Sequence, residues 1–179
     1  MTSSEPDKKW LLMMNLRKEM VEIQKIRAQV IGFKITFIST ATGVVIANTD
    51  KIPHIIWSVL ALTSIFFDLL INNYSFGIDR IAFYCRNYLE PAIKNSHQDF
   101  AVIPLWEEFV ASTKYKQKLS FVGNLGITCL MVLIAVIELF TSFNLIVSIP
   151  LIILISLLFV YDFQAFMRPK NLDESVLKN

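Results

Sequence analysis

The stretch Pro53-His54-Ile55-Ile56-Trp57-Ser58-Val59-Leu60-Ala61-Leu62-Thr63-Ser64-Ile65-Phe66-Phe67-Asp68-Leu69-Leu70-Ile71 is apolar over about the ~20 residues that a bilayer crossing takes, and Asp68 is its only charge. From Asn72 onward the apolar residues thin out to Ile78, Ile81, Cys85, Tyr88 and Ala92, a three-four spacing that marks one face of a water-exposed helix. The two halves read as one helix that leaves the membrane and continues into water as far as Leu89. On its wheel Trp57, Ala61, Ser64, Asp68, Asn72, Ser75 and Asp79 fall close to one line, so a polar stripe runs from inside the membrane to the exposed end.

Working outward, the chain has 179 residues, 54% hydrophobic and 18% charged, with a mean hydropathy of +0.52, too apolar for an ordinary soluble domain. The hydrophobicity lies in three blocks, Ala28 to Ala47, Ile52 to Ile71, and a long run from Leu119 to Phe166. The last block is roughly twice the ~20 residues of one crossing and has a natural break at Glu138 to Asn144. The expected fold is therefore all-α with four transmembrane helices, over 28–47, 52–72, 119–140 and 145–166. Lys8, Lys9, Arg17, Lys18, Lys25 and Arg27 precede the first crossing; Arg80, Arg86, Lys94, Lys114, Lys116 and Lys118 lie between the second and third; Arg168, Lys170 and Lys178 follow the fourth. Only Lys51 falls in an outer turn, and this bias predicts both termini and the central connection on the cytoplasmic side. The cytoplasmic parts are then an amphipathic helix within 1–27, a helical region over 73–118 and a tail over 167–179. The long mixed-charge N-terminal segment lacks a cleavage site and is not expected to be a secretory signal.

Within the N-terminal region, Met13, Leu16, Met20 and Ile23 share one face, which suits docking on the Ile78 to Ala92 face or lying in the membrane surface with Trp10 and Leu11 as anchors. The first crossing carries Gly32, Thr36, Thr40, Gly43 and Ala47 in helical register, small residues that let helix backbones approach closely. Lys34 points to the opposite side, about 9 Å inside the cytoplasmic boundary at ~1.5 Å per residue. Asn48 to Pro53 is an outer turn, with Pro53 expected to open the second helix. Asp68 and Asp162 lie at a depth similar to that of Lys34, which allows a Lys34–Asp68 pair, a Lys34–Asp162 pair, or a polar constriction built from all three. Glu90-Pro91 is expected to end or kink the cytoplasmic extension. Asn95 to Ile103 is the loosest stretch, and Pro104 to Trp106 resembles a helix start. The third crossing has a stripe of Asn124, Thr128, Met131, Ala135 and Glu138, with Gly123 and Gly126 on another side; the fourth, the most apolar, is broken by Pro150, Ser156 and Asp162.

Much chemistry finds no support. Five glycines include no phosphate-cradling motif, and His54 and His97 are too far apart in the topology to share a metal with Cys85 or Cys129. No serine sits in a nucleophile elbow. A net charge of +2 without a basic aromatic patch gives no direct nucleic-acid partner. The expectation is a protein that is not an enzyme and has no cofactor or metal, in contact with the lipid bilayer and with further copies of itself. Two functions follow. In one, an oligomer forms or gates an ion-permeable path, with Lys34, Asp68, Asn72, Asn124, Thr128 and Asp162 as its intramembrane polar residues. In the other, a non-conducting scaffold or sensor recruits a soluble cytoplasmic partner on Ile78, Ile81, Cys85, Tyr88 and Trp106.

The order Leu16-Arg17-Lys18-Glu19, Arg27 opening a crossing, Asp79-Arg80 with Tyr84 and Glu90, then Trp106-Glu107, resembles small multi-pass bacterial membrane proteins over about the first 110 residues. Some proteins of this kind are membrane subunits of antiphage systems or accessories of RNA-targeting CRISPR loci. The resemblance implies a membrane effector or sensor of antiviral defence in the bacterial inner membrane, and it carries over no functional residue.

Overall fold

The computed structural model describes the backbone of residues 5–94, 118–142 and 145–167, and throughout these it is helical apart from one connection. Helix α1 runs Glu5–Ala47, α2 Ile56–Tyr84, a π-helical turn Cys85–Leu89, α3 Glu90–Lys94, α4 Lys118–Ser142 and α5 Leu145–Met167. Asn95 to Ile103, Pro104 to Trp106, Lys114 and Lys116, the tail from Arg168 and the side chain of Asn124 lie outside the described residues. Three helical stretches are long and apolar enough to cross a membrane: Lys8–Ala47, Ile56–Ile93 and Ile146–Phe166; a shorter apolar helix spans Leu125–Thr141.

The amphipathic N-terminal helix and the first apolar block are one continuous element of 43 residues, because nothing between Trp10 and Ala47 breaks an α-helix more strongly than the exposed Gly32 and Gly43. Asn48 closes it, its Nδ2 donating to the Val44 carbonyl at 3.0 Å and its backbone N–H to Val45 at 3.2 Å. Pro53 does not open α2 as expected. Pro53, His54 and Ile55 instead form a tight turn whose carbonyls accept from Ile56, Trp57 and Ser58, and regular winding starts at Ile56.

The chain divides into two compact units. One comprises Arg27–Asn73 and Gln117–Arg168. Its core is Ile38 and Val45 from α1, Trp57, Leu60, Ala61 and Ile65 from α2, Met131, Ala135 and Leu139 from α4, and Ile155 from α5. Close links accompany this packing: the Phe37 and Phe67 rings tilt against each other at 6.3 Å, and the buried Ser148 hydroxyl donates to the Leu139 carbonyl at 2.8 Å. Outward, the same helices present Phe33, Ile46, Phe66, Leu133, Phe140 and Leu157. An apolar exterior of this extent would be a liability in water and is what a hydrocarbon solvent requires.

The other unit comprises Met1–Ile26, Tyr74–Lys116 and Pro169–Asn179. Met13, Cys85, Leu89 and Ile93 are buried together, with Leu16 and Ile81 packed against them, so the N-terminal apolar stripe does meet the face that begins at Ile81. Arg17 approaches the buried Glu90 carboxylate at 3.5 Å beside this cluster. Of the two outcomes expected at Glu90-Pro91, an end or a kink, the helix does not end but continues to Lys94 after a disturbed turn, and one expectation is corrected: the face Ile78, Ile81, Cys85, Tyr88, Ala92 is replaced beyond Cys85 by Leu89 and Ile93. Both have one cause. Pro91 has no N–H, and its ring clashes with the carbonyl four residues back in regular winding. The π turn immediately before it, in which the Glu90 N–H reaches back to the Cys85 carbonyl, widens the helix and takes up one extra residue, which turns Tyr88 outward and Leu89 inward.

That one-residue shift is testable. Leu89→Asp places an unpaired carboxylate in the cluster and should destabilise this unit by about 3 kcal/mol, whereas Tyr88→Asp at an exposed position should stay within about 0.5 kcal/mol. Amide hydrogen exchange over 81–93 reads the difference; equal loss of protection in both variants would reject the shifted face.

Candidate functional site

Residues at helical spacing define the inner line of each helix in the apolar unit. Lys34, Ile38 and Val45 are buried on α1; Trp57, Ala61, Ser64 and Asp68 on α2; Thr128, Met131, Ala135 and Leu139 on α4; Ser148, Ile155 and Asp162, in steps of seven, on α5. The polar members of these lines are therefore turned inward. Lys34, Thr128 and Asp162 are 0% exposed and Asp68 2%, in a unit whose outside is Phe, Leu and Ile. An ion in such surroundings loses its hydration and must recover it from fixed partners.

It does so at one point. Lys34 Nζ donates to Asp68 Oδ1 at 2.6 Å and to Thr128 Oγ1 at 2.8 Å, and the Thr128 hydroxyl donates in turn to Asp68 Oδ2. Ser64 Oγ lies 2.8 Å from Thr128 Oγ1. A hydroxyl has one hydrogen and two lone pairs. Since the Thr128 hydrogen goes to Asp68 and one lone pair receives Lys34, the other receives Ser64, which fixes Ser64 as the donor. The Lys34 amine, the Asp68 carboxylate and the Thr128 hydroxyl, from α1, α2 and α4, thus close a ring of charge-assisted bonds, stronger than bonds between neutral groups, and Ser64 on α2 donates to it at Thr128.

Asp162 on α5 stands beside this ring and outside the ion pair. Its Oδ1 accepts from Asn72 Nδ2 at 2.9 Å, and its Oδ2 is buried with no hydrogen-bond partner among the described residues. Of the two acids that the sequence placed near Lys34, it is Asp68 that the lysine meets. The cluster draws on all four helices of the unit.

The remaining candidates separate. Gly32, Thr36, Thr40 and Gly43 lie on an exposed side of α1, with no close packing on that face among the described residues. Its glycines are also spacious, since a Cβ at Gly32 or Gly43 would meet nothing within 4 Å. The reason lies in the rotation of α1: the charge of Lys34 is turned into the bundle, and the opposite side faces out. In the other unit Ile78 and Ile81 are half-buried, Cys85 is buried and Tyr88 is exposed. Tyr88 stacks on Tyr84 with ring centroids 5.4 Å apart.

Ser64 lies on the polar stripe one turn before Asp68 but is not among the intramembrane polar residues singled out from the sequence, although that register is the signal for it. Two further features escaped sequence reasoning. His54 Nδ1 lies 2.7 Å from Glu138 Oε2, joining the start of α2 to the end of α4; both residues close apolar blocks on the same predicted side. Ser148 bonds a backbone carbonyl, and nothing in its spacing announced this. No group of three His, Cys, Asp or Glu side chains able to hold a metal forms among the described residues. No protein-family model, no curated protein and no solved structure matches the chain.

Removing one member of a buried ion pair strands the other. Lys34→Met is expected to lower stability by about 3–5 kcal/mol, and Lys34→Met combined with Asp68→Leu to recover most of it. Reversible unfolding in mixed micelles, followed by helicity, measures both; an equal loss in the single and double variants would show that the stranded charge is not the cause. His54→Ala, at a half-exposed pair, should cost less than about 1 kcal/mol.

Proposed function

We propose that the chain is an integral membrane protein with four crossings and both termini in the cytoplasm, which assembles into a homo-oligomer and gates an ion-permeable path. The observation that carries the reading is the convergence of Lys34, Asp68 and Asp162 from three helices in the interior of an apolar bundle. Ionisable side chains at such depth are expensive, and their usual employment is on ion or proton routes. In this reading the ring of Lys34, Asp68 and Thr128, with Ser64 bonded to it, is the closed gate: it fills the centre of the bundle, and opening requires the pair to part. The fourth crossing is α4, whose apolar residues Leu125–Thr141 pack beside α5 in the same core. The bias of Lys and Arg supports the orientation.

The exposed side of α1 supports the assembly. A glycine within a helix costs about 1 kcal/mol relative to alanine, and nothing among the described residues needs the space at Gly32 or Gly43. A second copy packed on Gly32, Thr36, Thr40 and Gly43 would use it, since small residues in register are how helices associate in lipid. The resemblance to membrane effectors of antiphage systems gives the setting, a bacterial inner membrane whose permeability changes on infection. The reading includes no catalytic step and no cofactor.

Purified protein in liposomes should pass ions under a trigger, and Asp68→Asn should change that flux. Gly43→Leu, which fits within the single chain, should disperse the oligomer in light scattering. A membrane that stays tight under every condition with the oligomer intact would end the ion-path reading.

One observation favours a second reading, a non-conducting sensor that recruits a soluble protein. Tyr84 and Tyr88 are each 44% exposed and stack on each other, a rigid aromatic patch of the kind that anchors protein contacts. Tyr84→Glu with Tyr88→Glu should abolish recovery of such a partner; unchanged recovery would exclude this surface.

A further inference from the structure

The buried cluster does not balance. Among the described residues it holds one base, Lys34, and two acids, Asp68 and Asp162, for a formal charge of −1 with all three ionised. Lys34 and Asp68 neutralise each other at 2.6 Å. The excess falls on Asp162, whose side chain is 0% exposed, whose Oδ1 is held by the Asn72 amide, and whose Oδ2 meets no partner among the described residues. A bare carboxylate oxygen in an apolar interior is among the costliest groups a protein can bury, and neither lipid nor the surrounding side chains relieve it. We propose that Asp162 Oδ2, beside Asn72, is the seat of one exchangeable monovalent cation, a proton or an alkali-metal ion, held inside the bundle.

The surroundings suit a single positive charge that comes and goes. Asn72 orients the carboxylate from α2 by donating to Oδ1, which leaves Oδ2 as the free acceptor. Lys34 from α1 and Asp68 from α2 act on Asp162 through their charges, and with opposite sign. The Cys129 thiol on α4 is the further titratable group coupled to the same three residues. Lys34 carries one positive charge, which Asp68 already matches, so it leaves the two carboxylates one positive charge short whatever its third N–H meets. A cation arriving at Asp162 completes the cluster, and its departure leaves a carboxylate that competes with Asp68 for Lys34. Occupancy of Asp162 and integrity of the Lys34–Asp68 pair are thereby linked.

The inference rests on the ion-path reading for the role of the cation, and its test does not use flux. The full chain, purified in lipid nanodiscs, is compared with Asp162→Asn. If the cation is a proton, the infrared carbonyl stretch of a protonated carboxylic acid is present at neutral pH in the wild type and lost in the variant. If it is an alkali ion, that band is absent, and replacing N-methylglucamine chloride by sodium or potassium chloride at equal ionic strength raises the wild-type Tm but not that of the variant. Neither band nor alkali-ion response overturns the proposal. A band that survives Asp162→Asn and disappears in Asp68→Asn also overturns it, by placing the proton on the pair. Should Asp162→Asn fail to fold, Asn72→Leu, which removes the donor to Oδ1, must shift the band or the alkali-ion response, and no shift overturns the site. A cation bound by a chain that conducts nothing would end the ion-path reading and leave the site standing; conduction with no cation bound would do the reverse.

Discussion

A lysine ammonium and an aspartate carboxylate, both withdrawn from water and surrounded by aliphatic side chains, set the terms for the rest of the bundle. Apart, either would be untenable at this depth, so α1 must present Lys34 and α2 must present Asp68 to the same point. The pair alone leaves a lone pair and hydrogens unmet. Thr128 from α4 meets one of each, accepting from Lys34 and donating to Asp68, with Ser64 donating to Thr128 in turn, which brings a third helix into fixed register with the first two. An apolar core can slide and still be apolar; this one cannot slide without breaking charge-assisted bonds. The ion pair is thus a device of registry as much as of stability, and in a bilayer, where burial of apolar surface gives no drive between helices, registry is what must be supplied.

The two compact units are patterned oppositely, and α2 contributes to both. In one, charge is turned inward and Phe, Leu and Ile outward; in the other, Met13, Cys85, Leu89 and Ile93 are turned inward while Arg80, Arg86 and Tyr88 face out. The same periodicity therefore has opposite meanings in two parts of one helix. Asp68 and Leu89 are both buried, one among the inward polar side chains of an apolar-faced unit and the other in an apolar cluster with charged residues outside.

Periodicity made much of this legible. The stripe of Trp57, Ala61, Ser64 and Asp68 and that of Thr128, Met131 and Ala135 are buried lines in the structure, because the rotation between residues of a helix is fixed by its hydrogen bonds. Which way each helix turns relative to its neighbours is not contained in that rotation. Hence Lys34 had two acids open to it, and Gly32, Thr36, Thr40 and Gly43 could be read as an inner face although they lie outside. Register also fails wherever winding changes. A single π turn before Pro91 moved the apolar line from Tyr88 to Leu89, and a wheel drawn at constant pitch has no means of anticipating it. The link from His54 to Glu138 joins positions far apart in sequence at the ends of two apolar blocks, where only the assembled bundle brings them within 2.7 Å.

The widened turn over Cys85–Leu89 amounts to one residue more than regular winding would need. Drift in chain length has, in consequence, one inexpensive place to occur. Excision of a single position there, together with replacement of Pro91, would let the coil tighten with Ile81 and Ile93 still on one side. The same excision between Trp57 and Asp68 would swing every later side chain by about 100° and carry the acid out of reach of its lysine. Relatives of differing length should therefore carry their gap in the first place and none in the second.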